Sequence, residues 1–291
     1  NTQPTKNTNF GASTLTIKSV GTGSGGTRNI SGSTPYHNQL ETDLAKFHRK
    51  EKGLIFTSAY VANQTTLATL CKRMSGIKVF SDQLNHASLI EGIKNSKADC
   101  SIFRHNDLDH LEELLKTTDK DRPKIIVFES LYSMDGTETN VSDYVRLAKK
   151  YGALTYLDEV HAVGLYGEGG RGVAYKNGVS DEVDIINGTL GKAFGMQGGY
   201  IPASDPIIID GIRSIASGFI FTTSMSPVLC AGALASVKYL KDEGGRELRS
   251  QHQEKAMELK SLLTDYNIEV YPNDTHLVPV MVRDPVKCKK I

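Results

Sequence analysis

The chain alternates between short apolar runs and longer stretches with helical spacing. Runs rich in β-branched and aromatic residues recur at Leu54–Phe56, Lys78–Phe80, Ser101–Phe103, Lys124–Phe128, Leu154–Leu157, Val183–Ile186, Tyr200–Ile201 and Phe219–Phe221. Each reads as a strand. Runs such as KIIVF lack polar alternation, as strands buried on both faces should. Between them the spacing is helical. Leu40, Leu44 and Phe47 share one face of a helix from about Tyr36 to Lys50, and Leu108, Leu111, Leu114 and Leu115 share another. Asn106 or Asp107 caps the second. Val145 and Leu147 lie in a third helical segment that ends near Tyr151. The stretch TLTIKSV before Gly21 can also form a strand.

Strands alternating with helices predict an α/β fold with a mostly parallel sheet covered on both faces. Ligands in such sheets bind beyond the carboxyl ends of the strands. That rule points to Ser58–Tyr60, Ser81–His86, Ser130–Ser133, Asp158–His161, Gly188–Lys192 and Thr222–Ser224. From about Pro227 the texture changes to two long helical patterns and a strand-like HLVPVMV. The expected division is therefore a lead-in over 1–20 that is disordered or atypical, a large domain over 21–226, and over 227–291 the start of a smaller lobe. The first residue is not Met, and the last stretch has no terminating structure, so both ends read as cut edges.

Composition narrows the function. The chain has 291 residues, 39% hydrophobic and 23% charged, with a net charge of +1. That length can bury one large core. The charge and the absence of a long Lys/Arg run argue against nucleic acid as a partner. No apolar segment reaches the ~20 residues of a membrane span. Cys71, Cys100, Cys230 and Cys288 fit neither a zinc site nor a disulfide framework. The polar opening NTQPTKNTNF is neither a signal nor a transit peptide.

Several segments carry candidate chemistry. GTGSGGTRNISG contains a formal GxGxxG, but the Gly and Pro that follow discourage the helix a dinucleotide site needs. Glycines there let the backbone approach a ligand, and Thr27, Arg28 and Asn29 offer donors to an anionic substrate. Lys192 sits among glycines just past a strand, where neither the spacing nor Ala193 fits a P-loop. A lysine in that setting can form a Schiff base if desolvation lowers its pKa. Alone, such a lysine is more often structural than catalytic. Asp158 directly follows an apolar strand, where a carboxylate needs a cationic partner. An ion pair or a helix cap satisfies that need, and so does a pyridinium nitrogen. His161 stands three residues later. His86, Ser133, Thr189, Thr222 and Thr223 lie at further strand ends, where hydroxyls also serve as turn formers.

Taken together, GSGGTRNISG, HNQLE, SDQLNHAS, FRHND, ESLYSMDG, DEVHAVGLYG, NGTLGKAFG and GFIFTTS resemble the α-oxoamine synthase family of fold-type-I pyridoxal-phosphate enzymes. The resemblance runs from about Gly21 to Ile291. TRNISG and FRHND favour the branch that condenses glycine with succinyl-CoA over sister enzymes of the glycine C-acetyltransferase or 8-amino-7-oxononanoate synthase type. A non-catalytic dimer partner of the same fold is the reading from another class.

The resemblance implies a mostly parallel seven-stranded sheet with helices on both faces and a partial C-terminal α+β lobe. It implies an acyltransferase of tetrapyrrole synthesis that uses pyridoxal 5'-phosphate and no metal. Lys192 looks like the lysine that binds the cofactor aldehyde, Asp158 the pyridinium partner, His161 the phenolate partner and His86 the stacking residue. Ser133 and Thr189 look like further cofactor contacts, and Ala59 and Tyr60 match backbone donors to the phosphate. Thr222 and Thr223 match hydroxyls that reach the phosphate of a neighbouring subunit, which implies a homodimer. Thr27, Asn29 and Ile30 match the part that receives the succinyl carboxylate. Ser81 matches a position lining the acyl-CoA site, and Cys100 stands where a lysine often helps bind the CoA ester. The compartment implied is the mitochondrial matrix or a bacterial cytoplasm.

Overall fold

In a computed structural model, residues 6–291 are described. Helices α1 (Lys6–Val20) and α2 (Pro35–Phe47) precede strand β1 (Lys52–Phe56). There follow α3 (Ala59–Arg73), β2 (Lys78–Asp82), α4 (Ala87–Ser96), β3 (Asp99–Phe103), α5 (Leu108–Lys116), β4 (Lys124–Glu129), α6 (Val141–Tyr151) and β5 (Ala153–Asp158). The short α7 (Val173–Lys176), β6 (Ile185–Thr189), β7 (Gly199–Ala203), α8 (Pro206–Ile215) and α9 (Ser217–Ile220) complete the sheet region. Helices α10 (Pro227–Lys241), α11 (Glu243–Asp265) and the short α12 (Pro285–Cys288) follow.

The sheet has seven strands in the order β1-β7-β6-β5-β4-β2-β3. β7 runs antiparallel to both its neighbours, and the other pairings are parallel. Both faces are covered, which explains the uninterrupted apolar runs. Along β4, Ile125 and Val127 join one core cluster with Ala62 and Leu67 of α3 and Leu89 of α4. Ile126 and Phe128 face the other way, onto Leu111 and Leu115 of α5 and Tyr144 and Val145 of α6. The ends of β2, β4, β5 and β6 therefore place Asp82, Glu129, Asp158 and Thr189 along one edge.

Four expectations change. Residues 6–20 are not a disordered lead-in but helix α1, and TLTIKSV lies inside it rather than in a strand; residues 1–5 lie outside the described residues. Its apolar spacing carries no signal because α1 docks through polar groups. Asn9 Nδ2 donates to the Phe194 carbonyl, Ser236 Oγ on α10 donates to Asn9 Oδ1, and Ser13 Oγ donates to the Val228 carbonyl. Phe219–Phe221 is not a strand but the end of α9. Gly218 packs so closely on Thr65 that a Cβ would collide with its hydroxyl, and Phe219 sets its ring edge-on to Phe56. HLVPVMV forms only an isolated bridge, Val270 to Val280. Finally, Pro227 opens α10, whose Cys230, Ala233, Val237 and Leu240 share a core with Leu40, Phe47 and Phe194. The packing of the large body thus continues past 227, whereas α11 is mainly exposed.

Candidate active site

Asp158 ends β5 and is buried. Its Oδ2 accepts from Asn63 Nδ2 at 2.6 Å and Asn187 Nδ2 at 3.1 Å, and its Oδ1 accepts the Val160 N–H at 2.9 Å. Burial raises its carboxyl above the usual range, while these three donors and the Lys192 ammonium favour the carboxylate. Asn63 and Asn187 are absent from the sequence-based candidates. Their only signal is a polar residue inside an otherwise apolar helix face and strand.

Lys192 follows β6 in a turn closed by Leu190 N–H to the Gly198 carbonyl and Met196 N–H to the Leu190 carbonyl. Gly198, at φ +134°, permits that return, since a Cβ there would meet Met225 Sδ at 2.6 Å. The Lys192 amine has no hydrogen bond or ion pair among the described residues, although the neighbourhood holds two carboxyls. Partial desolvation lowers its pKa although the residue as a whole is exposed, and Asp158 and Glu129 oppose that shift. It lines a cleft of ≈ 520 Å³ with His161, Arg249, His252 and His276. His161 is driven to about 3, first by burial and then by Lys192, His276 and His86, so it is neutral at ordinary pH.

His86 caps the N-terminus of α4, and its Nδ1 accepts the Ser88 N–H. Its ring is exposed beside Tyr60, edge to face, with centroids 6.3 Å apart. The loop that bears it is tied down by FRHND. His105 contacts Asp82 Oδ1 at 2.9 Å and Thr137 Oγ1 at 2.8 Å, and the Asn106 N–H donates to Asp82 Oδ2. At the start of α3, Ser58 Oγ accepts the Val61 N–H. The Ala59 and Tyr60 N–H groups have no partner among the described residues, so a 15-residue helix presents two free donors.

Other candidates land differently. Ser133 sits partly exposed on the loop after β4, with no hydrogen bond for its hydroxyl among the described residues. Thr189 is buried and occupied in its own turn, donating to the Gly198 carbonyl and accepting the Gly191 N–H. Thr223 pairs with Thr27, and the Ser224 N–H donates to the Gly26 carbonyl, which stitches 222–226 to the glycine loop. Within that loop Thr27 Oγ1 is buried without a partner, Asn29 Nδ2 donates to the Arg213 carbonyl, and Ile30 is exposed. Arg28 is not free for a substrate. It is buried in a bidentate pair with Glu41, at 2.6 and 3.1 Å. Ser81 is buried and accepts from Asn85 Nδ2. Cys100 lies near the start of edge strand β3, at the opposite end from the Lys192 edge. Neither Ser81 nor Cys100 lines the cleft that holds Lys192.

The donor set fits pyridoxal phosphate: an unpaired lysine for an aldehyde, a buried carboxylate for a pyridine nitrogen, a flat exposed ring, and free helix N–H groups for a phosphate.

Residues 5–291 match the family model of aminotransferases of class I and II. The chain is 52% identical over 97% of its length to 5-aminolevulinate synthase 1 of Cereibacter sphaeroides, covering 69% of that protein. It is 49% identical over 94% of its length to the erythroid-specific, mitochondrial 5-aminolevulinate synthase of Danio rerio, covering 47% of it. Among solved structures, serine palmitoyltransferase of S. paucimobilis, with a bound PLP–myriocin aldimine, superposes with a TM-score of 0.89 at 29% identity, over 96% of this chain and 72% of that one. An 8-amino-7-oxononanoate synthase of Francisella tularensis, at 24% identity and a TM-score of 0.77 over 96% of this chain and 78% of that one, shares the fold.

Proposed function

We propose that this chain, which belongs to the class I and II aminotransferases and within them to the 5-aminolevulinate synthases, condenses glycine with succinyl-CoA to give 5-aminolevulinate, CoA and CO2. The observation that carries this is the unpaired Lys192 amine facing a cleft beside buried Asp158. Pyridoxal phosphate, when bound, supplies a protonated ring that takes up the electron pair left when the glycine α-carbon loses its proton.

The chain's own residues prepare that chemistry. Lys192, with its pKa lowered, holds the cofactor aldehyde and then carries the glycine proton. Asp158, fixed by three donors, keeps a proton at the ring nitrogen. Neutral His161 offers its ring N–H or lone pair to the phenolic oxygen. His86 covers one face of the ring. The Ala59 and Tyr60 N–H groups and the Ser133 hydroxyl hold polar oxygens of the cofactor. Thr27, Asn29 and Ile30 belong to the succinyl end, and the orphan Thr27 Oγ1 supports that assignment. Oriented charge already in place before reaction is the main gain of such a site.

The assembly proposed is a homodimer in which Thr222 and Thr223 serve the second copy's phosphate. Exposed Ile30 and Phe221, at 84% and 81%, sit on the same stitched unit and support a covering partner. The mainly exposed stretch from α11 onward is proposed as belonging to a smaller lobe. Among the described residues no helix is long and apolar enough to cross a membrane. A bacterial cytoplasm or mitochondrial matrix is the proposed compartment.

Borohydride reduction in the presence of pyridoxal phosphate, with peptide mapping, should place the adduct on Lys192. Turnover should then favour succinyl-CoA over acetyl-CoA and glycine over alanine. An adduct elsewhere, or none on folded protein, overturns the reading, and a reversed substrate preference moves the chain to a sister activity.

A further inference from the structure

Glu129 is the last residue of β4 and only 3% exposed. It pairs Cα for Cα with Asp158 at the end of β5. Residues in register on adjacent strands project to the same face. Two carboxyl groups therefore stand side by side at the edge where Lys192 lies. Their surroundings differ. Asp158 accepts three hydrogen bonds, whereas Glu129 accepts one, from the His86 backbone N–H to Oε1 at 2.5 Å. The titratable groups around Glu129 are Asp158 on β5, Asp82 at the end of β2, Tyr132 on the following loop, His86 ahead of α4 and Lys192 after β6. Lys192 thus faces two carboxyls, Asp158 and Glu129, while Asp82 bears on Glu129.

Adjacent carboxylates in a buried site do not both ionise cheaply. Asp158, with three donors, is the better anion. Glu129 is left to keep its proton: burial first, then Asp158 and Asp82, push its carboxyl well above the usual range.

We propose that Glu129 is a positioning residue of this site that acts as a neutral carboxylic acid. It seats His86 by accepting its N–H, and it confines the negative charge of the strand edge to Asp158. The consequence falls on Lys192. A second carboxylate beside that amine would hold it protonated, whereas a neutral Glu129 leaves it free to lose its proton. This rests on the reading of Lys192 as the cofactor lysine.

The test compares Glu129→Gln and Glu129→Ala. Glutamine keeps the acceptor for His86 and is neutral, so it imitates the protonated acid. In the protein without cofactor, infrared difference spectra at neutral pH should show a protonated-carboxyl stretch that Glu129→Gln removes. With pyridoxal phosphate bound, Glu129→Gln should leave the pH midpoint of the cofactor absorbance in place, while Glu129→Ala lowers kcat by at least about tenfold and glutamine recovers it to within about threefold. Absence of the infrared band, or a fall of about one pH unit or more in the midpoint for Glu129→Gln, shows a charged Glu129 and overturns the proposal. Equal loss in both variants with an unmoved midpoint also overturns it, since seating His86 is then not what the residue does. Failure of the cofactor reading looks different: no adduct forms on Lys192 in any variant, the infrared band stays, and the role toward Lys192 falls while the protonation stands.

Discussion

Among the described residues, the buried carboxylate clusters around Glu41 and around Asp158 are built in opposite ways. Glu41, on α2, is saturated. Its Oε1 accepts from Arg28 at 2.6 Å and from the Ile55 N–H at 3.1 Å, and its Oε2 accepts from Arg28 at 3.1 Å and Arg213 at 2.6 Å. Two guanidinium groups balance one carboxylate, every lone pair is in use, and the cluster ties the glycine loop to α2, β1 and α8. At the ends of β4 and β5 the balance is reversed, with Glu129 and Asp158 facing the single amine of Lys192, which bonds to neither among the described residues. A closed charge cluster holds parts of the chain in place. An open one keeps groups whose protonation can change, and such groups can act on a ligand.

The sharpest way to break this comparison is at Lys192. Lys192→Ala should lower 5-aminolevulinate formation by at least about ten-thousandfold. The same change should move urea stability by less than about 1 kcal/mol, because no partner is orphaned. A large stability loss with preserved turnover would make Lys192 a structural residue.

Glu41→Ala should do the reverse. It leaves buried Arg28, partly exposed Arg213 and the Ile55 N–H without this acceptor, at a cost of about 3–5 kcal/mol in urea unfolding. An unmoved midpoint would show that the cluster holds nothing together.

Acid comes next. His48 is fully buried against Tyr200, and burial, then Lys50 and Arg171, drive it from 6.5 to about 3. Unfolded His48 takes up a proton below about 6.5 and folded His48 does not, so its stabilising effect is complete above that pH and is lost as pH falls toward 3. By about pH 4 this amounts to about 3 kcal/mol. Glu159 works in the opposite sense. Burial raises it to about 7, so the stability linked to its proton is present below about 4.5 and lost as pH rises toward 7. The clean measurement is therefore the stability difference between the protein and a His48→Gln variant, which should shrink on acidification. A difference that is constant with pH would mean His48 is not held neutral.

The smallest effect is expected at the α1–α10 seam. Asn9→Ala removes the donor to the Phe194 carbonyl and the acceptor for Ser236, costing about 1–2 kcal/mol in the same unfolding assay. A change below the error of the assay would show that α1 contributes little to the fold.

Local patterns made much of this molecule legible from the chain. A doubly buried strand such as KIIVF needs apolar residues at every position, so it shows in one dimension. The same holds for α5 and α6, whose apolar faces recur at helical spacing, and for Asp107, which caps α5. Lys192, Asp158, His161 and His86 stood out as candidates because each lies at or soon after the end of an apolar run, and their proposed roles come from the resemblance. What the tertiary structure alone decided are relations between distant segments. α1 is a helix because Ser236 and the Phe194 and Val228 carbonyls meet its polar side, and nothing in its own spacing records that. Arg28 is bound to Glu41 rather than open to substrate because the fold sets Glu41 of α2 against the glycine loop. Glu129 matters only because strand register sets it against Asp158, and two carboxyls separated along the chain compete for one proton only once the sheet brings them together.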